Sequence, residues 1–371
     1  MRIIFTGGGT AGHIFPIAAI IDEIKRNHPL ESFEFFYVGP KDDFAKEIFN
    51  KKGVVVKTII TGKIRRYFSI ENIIDILKFP IGIFQAFYYV FVISPDLIFS
   101  KGGYGSVPTV ICGWLLNVPI FLHESDITPG LANRIASKFA LEIFISFSVE
   151  KTEYFPTKKV LSIGCPIRSE ILNGNKDEAK KIFNLTEEKP VILVLGGSQG
   201  AQKINDNLLI ILAEILKDFE IIHQTGKNNF EQVKKESEVV LTKELKKYYH
   251  PIGFLNEKEL SCAYAAANLI ISRAGASAIF EIAGVKKPSI LIPLSGSAQN
   301  HQIKNAYAFG ENGAAIVIEE INFKPHFFLE RVKYLLSQPF ILNKMAKKAE
   351  EFSRPYSSKI IAEYIVAYLK Q

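Results

Sequence analysis

The chain has 371 residues, 48% hydrophobic and 22% charged, with a formal net charge of +7 and a pI near 9.0. Such a composition excludes a disordered or fibrous chain, and the length suits two globular domains. The basic balance asks for an anionic partner, and a phosphate-rich substrate, an anionic bilayer and nucleic acid all fit it; with no RNA-binding or zinc signature, nucleic acid is the weakest of the three.

From the N-terminus, Arg2 to Thr6 reads as a buried strand that runs into Gly7-Gly8-Gly9-Thr10-Ala11-Gly12-His13. Ile17, Ile20, Ile21 and Ile24 then recur at helical spacing. Further strands are expected at Phe33 to Val38, Val54 to Ile59, Leu97 to Ser100, Pro119 to His123 and Glu142 to Ser146. The apolar, aromatic stretch from Phe79 to Ile93 is shorter than the roughly 20 residues that span a bilayer. It reads either as a helix packed on the sheet or as one whose outer face touches a membrane. Lys63, Arg65, Arg66, Tyr67 and Phe68 just upstream suit an anionic bilayer surface. Trp114 and Phe121 read as packing residues, although Trp114 could extend an apolar membrane patch.

The scheme repeats in the second half. Strands are expected at Val191 to Leu195, Glu220 to Gln224, Leu269 to Ser272 and Ser289 to Pro293. Helices are expected at Asn205 to Lys217, Ala276 to Gly284 and His301 to Phe309. The domain boundary is expected at 163/164, giving domains 1–163 and 164–356, with a C-terminal helix over 357–371 returning to the first. Cys112, Cys165 and Cys262 show neither metal-ligand nor disulfide spacing, which points to a reducing compartment. Met1-Arg2 leads straight into a strand, so no signal peptide is expected.

A second glycine loop, Gly196-Gly197-Ser198-Gln199-Gly200, follows the strand at Val191. A strand ending in glycines and opening a helix brings backbone N–H groups and a helix N-terminus up to an anion. Two such units predict an α/β chain of two Rossmann-like domains facing across a cleft. A dinucleotide fold would want an acidic residue about 20 residues on, at the end of the next strand. The first such strand ends Tyr37-Val38-Gly39-Pro40 with no acid before Asp42, and the second ends His223-Gln224-Thr225-Gly226. The NAD reading fails at both loops. A third turn, Arg273-Ala274-Gly275-Ala276, is followed by Glu281 inside the next helix, where a carboxylate can accept from two ribose hydroxyls.

With these motifs assembled, the chain resembles the MurG family, the UDP-N-acetylglucosamine:undecaprenyl-pyrophosphoryl-muramoyl-pentapeptide N-acetylglucosaminyltransferases. The matching stretches run in order from Gly8-Gly9-Thr10-Ala11-Gly12-His13 through Lys101-Gly102-Gly103-Tyr104, His123-Glu124-Ser125 and Gly164-Cys165-Pro166-Ile167-Arg168. The second glycine loop, the Arg273 turn with Glu281, and Gln302-Ile303-Lys304-Asn305 complete them. The resemblance implies the two-domain GT-B fold and inverting transfer of N-acetylglucosamine to the C4 hydroxyl of the lipid-linked muramoyl-pentapeptide. It implies no metal or other cofactor, a peripheral place on the cytoplasmic face of the membrane, and no nucleic-acid partner. It also implies that Ser198, Gly197 and Gln199 bind phosphate and Arg168 the donor nucleotide. The backbone at Leu255 would read uracil, Glu281 the ribose beside Ala276, and Gln302 with Asn305 the sugar hydroxyls. Thr10, Ala11, Gly12 and Tyr104 would line the acceptor side.

The acceptor hydroxyl must lose a proton as it attacks. His13, at the end of the first glycine loop, is the first choice of base, because imidazole titrates near working pH and a helix N-terminus keeps it neutral. Glu124 and Asp126 are the rival bases. Ala11 stands where the family often has glycine and fits unless a positive φ is needed; Asp126 stands where many members carry asparagine. His28, His223 and His250 read as structural. Two other readings share the fold: a sugar-nucleotide epimerase or transferase with a soluble acceptor, and a nucleotide-sugar-binding regulator that turns nothing over.

Overall fold

Strands flanked by parallel neighbours and covered on both faces need continuous apolar runs, and the stretches at Arg2, Leu97, Val191 and Leu269 meet that demand. The computed structural model describes residues 1–8, 11–62, 70–148, 154–197 and 200–371, with backbone only for 70–77 and 157. It divides into two compact units, Met1–Arg168 with Tyr356–Gln371, and Ser169–Pro355.

The first unit runs β1 (Arg2–Thr6), α1 (Ala11–Asn27), β2 (Glu34–Gly39), α2 (Asp43–Lys51), β3 (Val55–Thr58), α3 (Ile70–Ile93), β4 (Leu97–Ser100), α4 (Val107–Leu115), β5 (Ile120–Glu124), α5 (Leu131–Ala136), β6 (Glu142–Ile145) and β7 (Val160–Ser162). Among the described residues its strands form one parallel sheet in the order β3-β2-β1-β4-β5-β6-β7. The second unit runs α6 (Lys176–Phe183), β8 (Val191–Leu195), α7 (Gln202–Ile215), β9 (Glu220–Gln224), α8 (Phe230–Val240), α9 (Lys243–Lys246), β10 (Tyr249–Ile252), α10 (Glu257–Ala266), β11 (Leu269–Ser272), α11 (Ala276–Gly284), β12 (Ser289–Leu291), α12 (His301–Gly310), β13 (Ala315–Val317), α13 (Pro325–Leu336) and α14 (Pro339–Phe352). Its sheet is parallel in the order β10-β9-β8-β11-β12-β13.

The last helix, α15 (Ser357–Leu369), belongs to the first unit and packs on α1. Ile361, Ala362, Ile365 and Val366 join its core, and Tyr364 and Tyr368 meet Phe121 edge-on at 5.6 and 5.1 Å. The units divide at 168/169 rather than 163/164, because residues 164–168 are tied into the first one. The Gly164 carbonyl accepts from buried His123 at 3.1 Å, Cys165 is buried, and Ser358 Oγ donates to the Ile167 carbonyl at 3.1 Å.

The three histidines read as structural all have partners. His28 lies between Glu31 (3.2 Å) and Glu363 (3.1 Å), and His250 donates to buried Glu220 at 2.8 Å. His223 sits between Asn205 Oδ1 (3.0 Å) and the Tyr249 hydroxyl (2.8 Å). The Asn205 amide nitrogen is spent on the Thr225 carbonyl, so Asn205 Oδ1 must accept, His223 Nε2 carries the proton and Nδ1 accepts from Tyr249. Burial pushes the His223 pKa down to about 3 from the usual 6.5. The unfolded chain therefore binds a proton that the folded one refuses, and stability present above pH 6.5 is lost as pH falls toward 3. His223→Gln should remove about 2 kcal/mol of the stability difference between pH 8 and pH 5 measured by urea unfolding. The same pH dependence in variant and wild type would contradict that origin.

Candidate functional site

In the first sheet the strand order reverses between β1 and β4, whose ends are aligned with Thr6 opposite Ser100. Loops leaving such a point form a crevice at the carboxyl edge of the sheet. Here they interlock through glycines. A Cβ on Gly105 would fall 2.4 Å from Pro40, and one on Gly102, at φ +87°, would fall 2.1 Å from Asn133 Oδ1. No other residue type fits at Gly102.

Around these loops lies a polar cluster. The Lys101 side chain is only 2% exposed and its ammonium donates to Ser125 Oγ, which is 3.6 Å from Cys165 Sγ. Glu124 ends β5 buried, with Oε1 accepting from the Asp126 N–H (2.9 Å) and Oε2 from Asn133 Nδ2 (2.7 Å). Burial, reinforced by the Asp126 charge, pushes its carboxyl up to about 7 against the pull of those hydrogen bonds and of Lys101. Burial, with Lys101 as the second cause, holds His123 well below the usual imidazole range. His13 lies half-buried in the first turn of α1; its Cβ and that of Lys101 are 3.5 and 3.4 Å from the point where a Cβ on Gly7 would sit.

Ala11 opens α1 in helical conformation, so the change from glycine carries no backbone strain. Gly12 is exposed, Tyr104 and Asp126 are half-buried, and Thr10 lies outside the described residues. Arg168 falls in the first unit, buried, with its guanidinium 3.9 Å from the Phe15 ring centre. Asn133 was not foreseen as part of this cluster. Its only sequence signal is an amide two residues inside a short helix, nine after Glu124.

The second unit repeats the geometry between β8 and β11, with Leu195 opposite Ser272. Gln224 bridges two of its loops: Nε2 donates to the Gly197 carbonyl at 3.2 Å, and Oε1 accepts from the Leu255 N–H at 3.1 Å. Among the described residues, a Cβ on Gly197 (φ +80°), Gly275 or Gly296 (φ +75°) would meet nothing within 4 Å. Ala276 opens α11, and Glu281 within it is 8% exposed and accepts from the Tyr264 hydroxyl at 3.2 Å. Ser198 and Gln199 lie outside the described residues.

Arg273 points back into the fold. It pairs with Glu320 at 2.6 Å and donates to the Ile292 carbonyl at 3.1 Å. Burial opposes ionisation of Glu320, but Arg273 and the Ser295 N–H hold its pKa below the usual carboxylate value. This pair staples the segment before α12, where Gln299 and Asn300 are both left-handed (φ 57° and 54°), a conformation that collects at ligand-holding loops. Gln302 Oε1 accepts from the Leu294 N–H at 3.0 Å. Asn305, implied by the resemblance to touch sugar hydroxyls, is instead fully buried, with its amide on the Ala274 carbonyl at 3.4 Å. It braces the Gly275 turn from behind.

Glycosyltransferase family 28 N-terminal and C-terminal domain models match residues 3–145 and 191–360. A Bacillus cereus UDP-N-acetylglucosamine–N-acetylmuramyl-(pentapeptide) pyrophosphoryl-undecaprenol N-acetylglucosamine transferase is 38% identical over 371 residues, 100% of this chain and 99% of the relative. The chain belongs to the MurG family. A Clostridium botulinum MurG-family transferase of the same description is 36% identical over 98% of this chain and 99% of its own. The crystal structure of Acinetobacter baumannii MurG superposes with a TM-score of 0.73 at 22% identity, covering 99% of each chain. A Neisseria meningitidis UDP-GlcNAc 2-epimerase bound to UDP-GlcNAc gives a TM-score of 0.68 at 14% identity, over 99% of this chain and 100% of that one. At those identities the two structures share the fold with this MurG-family chain, and the fold alone.

Proposed function

We propose that this chain transfers N-acetylglucosamine from UDP-N-acetylglucosamine to the C4 hydroxyl of undecaprenyl-pyrophosphoryl-N-acetylmuramoyl-pentapeptide, with inversion and without a metal. The observation that carries this reading is the end-to-end match, at 38% identity, to a transferase of that description. The second unit takes the donor: the Gly197 loop with Ser198 and Gln199 the diphosphate, the Leu255 backbone the uracil, Glu281 the ribose, and Gln302 the sugar. The first unit takes the acceptor along Thr10 to His13 and Tyr104. As the acceptor oxygen bonds to C1 of the sugar, the bond from C1 to the diphosphate oxygen breaks. The acceptor proton passes to His13, and the charge left on UDP is met by loop amides and helix N-termini.

The purified chain with UDP-N-acetylglucosamine and the lipid-linked muramoyl-pentapeptide in detergent should yield the lipid-linked disaccharide and UDP, in EDTA as well as without it. Conversion of the free donor to another sugar nucleotide, with no disaccharide formed, would replace this reading with the epimerase one.

The lipid acceptor brings the enzyme to a membrane surface, and the first unit offers a face for it. Ile81, Phe84, Tyr88, Phe91 and Val92 of α3, with Trp114 and Leu115 of α4, are all exposed, Phe84 at 76%. Ala86, Val90 and Ile93 take the inward side of α3. Among the described residues no helix is long and apolar enough to cross a membrane, and a peripheral contact needs none. Lys63, Arg65 and Arg66 lie outside the described residues, four to seven positions before Ile70 in the sequence. Changing all three to glutamine should weaken association with anionic vesicles at low salt by about 3 kcal/mol, roughly 1 kcal/mol each, while donor binding stays as it was. Wild-type protein that ignores anionic vesicles in a flotation assay would remove the membrane face.

A further inference from the structure

One buried polar group in the second unit has no part in the roles assigned so far. Tyr264 lies on α10, 1% exposed, in the core that also holds Ala263, Ala267, Ile279 and Ile282. Phenylalanine would fill the same space among those apolar side chains. A phenol kept there must find a partner for its hydroxyl, and the Tyr264 hydroxyl donates to Glu281 Oε2 at 3.2 Å. The contact crosses from α10 to α11, the two helices on either side of β11 in the chain.

We infer that Tyr264 is a positioning residue for the donor ribose, its hydroxyl holding one carboxylate oxygen of Glu281 and so fixing the plane in which that carboxylate meets the vicinal hydroxyls. The inference rests on the reading of Glu281 as the ribose ligand. A glutamate side chain has several rotamers, and a carboxylate that must serve two adjacent hydroxyls loses affinity when binding has to freeze it. An anchor built into the core removes that cost before the ligand arrives. Tyr264 touches no substrate in this scheme and acts only through Glu281.

The test compares dissociation constants for UDP and 2′-deoxy-UDP by calorimetry in the wild type, Tyr264→Phe, Glu281→Gln and the double variant. The wild type should prefer UDP by about tenfold or more, as expected for a hydroxyl bonded to a charged group. Tyr264→Phe should cut that preference by roughly three- to tenfold, with 2′-deoxy-UDP, which keeps the 3′ hydroxyl, weakened less than UDP. In the Glu281→Gln background the tyrosine change should have no further effect on the preference. A thermal midpoint without ligand checks that phenylalanine keeps the core. Should Tyr264→Phe retain the full wild-type preference, or weaken both ligands equally, Tyr264 is core filling and the inference is overturned. A wild-type preference that survives Glu281→Gln would instead overturn the ribose reading beneath it.

Discussion

Replacing His13 by alanine is expected to lower kcat by about 10²–10⁴-fold, the usual contribution of a general base, with the dissociation constant for UDP-N-acetylglucosamine changed little. The expectation rests on where His13 and Glu124 stand. His13 is half-buried in the first turn of α1, beside the Gly7 backbone. An imidazole at that place is the base proposed to take the acceptor proton. Glu124, pushed up to about 7, has a pKa suited to proton transfer. Its two oxygens are nevertheless taken by the Asp126 N–H and the Asn133 amide, and the side chain is buried. That arrangement shapes the loop after β5. The acidic limb of the pH–rate profile should therefore vanish in His13→Ala and persist in Glu124→Gln. If His13→Ala keeps more than about a tenth of kcat while Glu124→Gln or Asp126→Asn is nearly dead, the base is a carboxylate and His13 only positions the acceptor.

What could be read from the chain divides along physical lines. Strands flanked on both sides need unbroken apolar runs, so β1, β4, β8, β9 and β11 stood out with their observed limits, or nearly so. The strands left unread, β7, β10 and β13, lie at sheet edges and span three or four residues. β10 carries Pro251, tolerable only where a neighbour is missing, which hides it from any periodicity. The glycine loops announced their places because Gly102 and Gly197 need left-handed backbone. Side chains that act through other side chains left no comparable mark. Nothing about Gln224 in sequence says that it joins the Gly197 and Leu255 loops, and nothing about Asn133 says that it holds Glu124. Asn305 shows the converse: a motif position that the resemblance gives to a ligand is fully buried, with its amide on the Ala274 carbonyl. Such roles depend on which elements the fold brings together, and local pattern does not encode that.

Removing the Glu281 carboxylate should weaken UDP-N-acetylglucosamine binding by about 1.5–3 kcal/mol, a ten- to hundredfold rise in the dissociation constant. The magnitude is that of hydrogen bonds to a charged group, and several features let Glu281 deliver it. It stands on α11 within the unit that opens at the Gly275 turn, where an added Cβ would meet nothing within 4 Å among the described residues. Its low exposure keeps water from competing for the carboxylate, and Tyr264 already holds one of its oxygens. Glu281→Ala also removes the hydrogen bond between that carboxylate and the Tyr264 hydroxyl, so about 1–3 kcal/mol of fold stability should go with it. Glu281→Gln keeps an acceptor for Tyr264 and separates the two losses: most of the stability returns, while ribose affinity stays low because the amide carries no charge. UDP affinity should fall as far as UDP-N-acetylglucosamine affinity, since the lost contact is to the nucleoside and not to the sugar. An unchanged dissociation constant by calorimetry in a folded Glu281→Ala protein would remove Glu281 from the donor site. A loss confined to UDP-N-acetylglucosamine, with UDP binding as before, would move Glu281 from the ribose to the sugar.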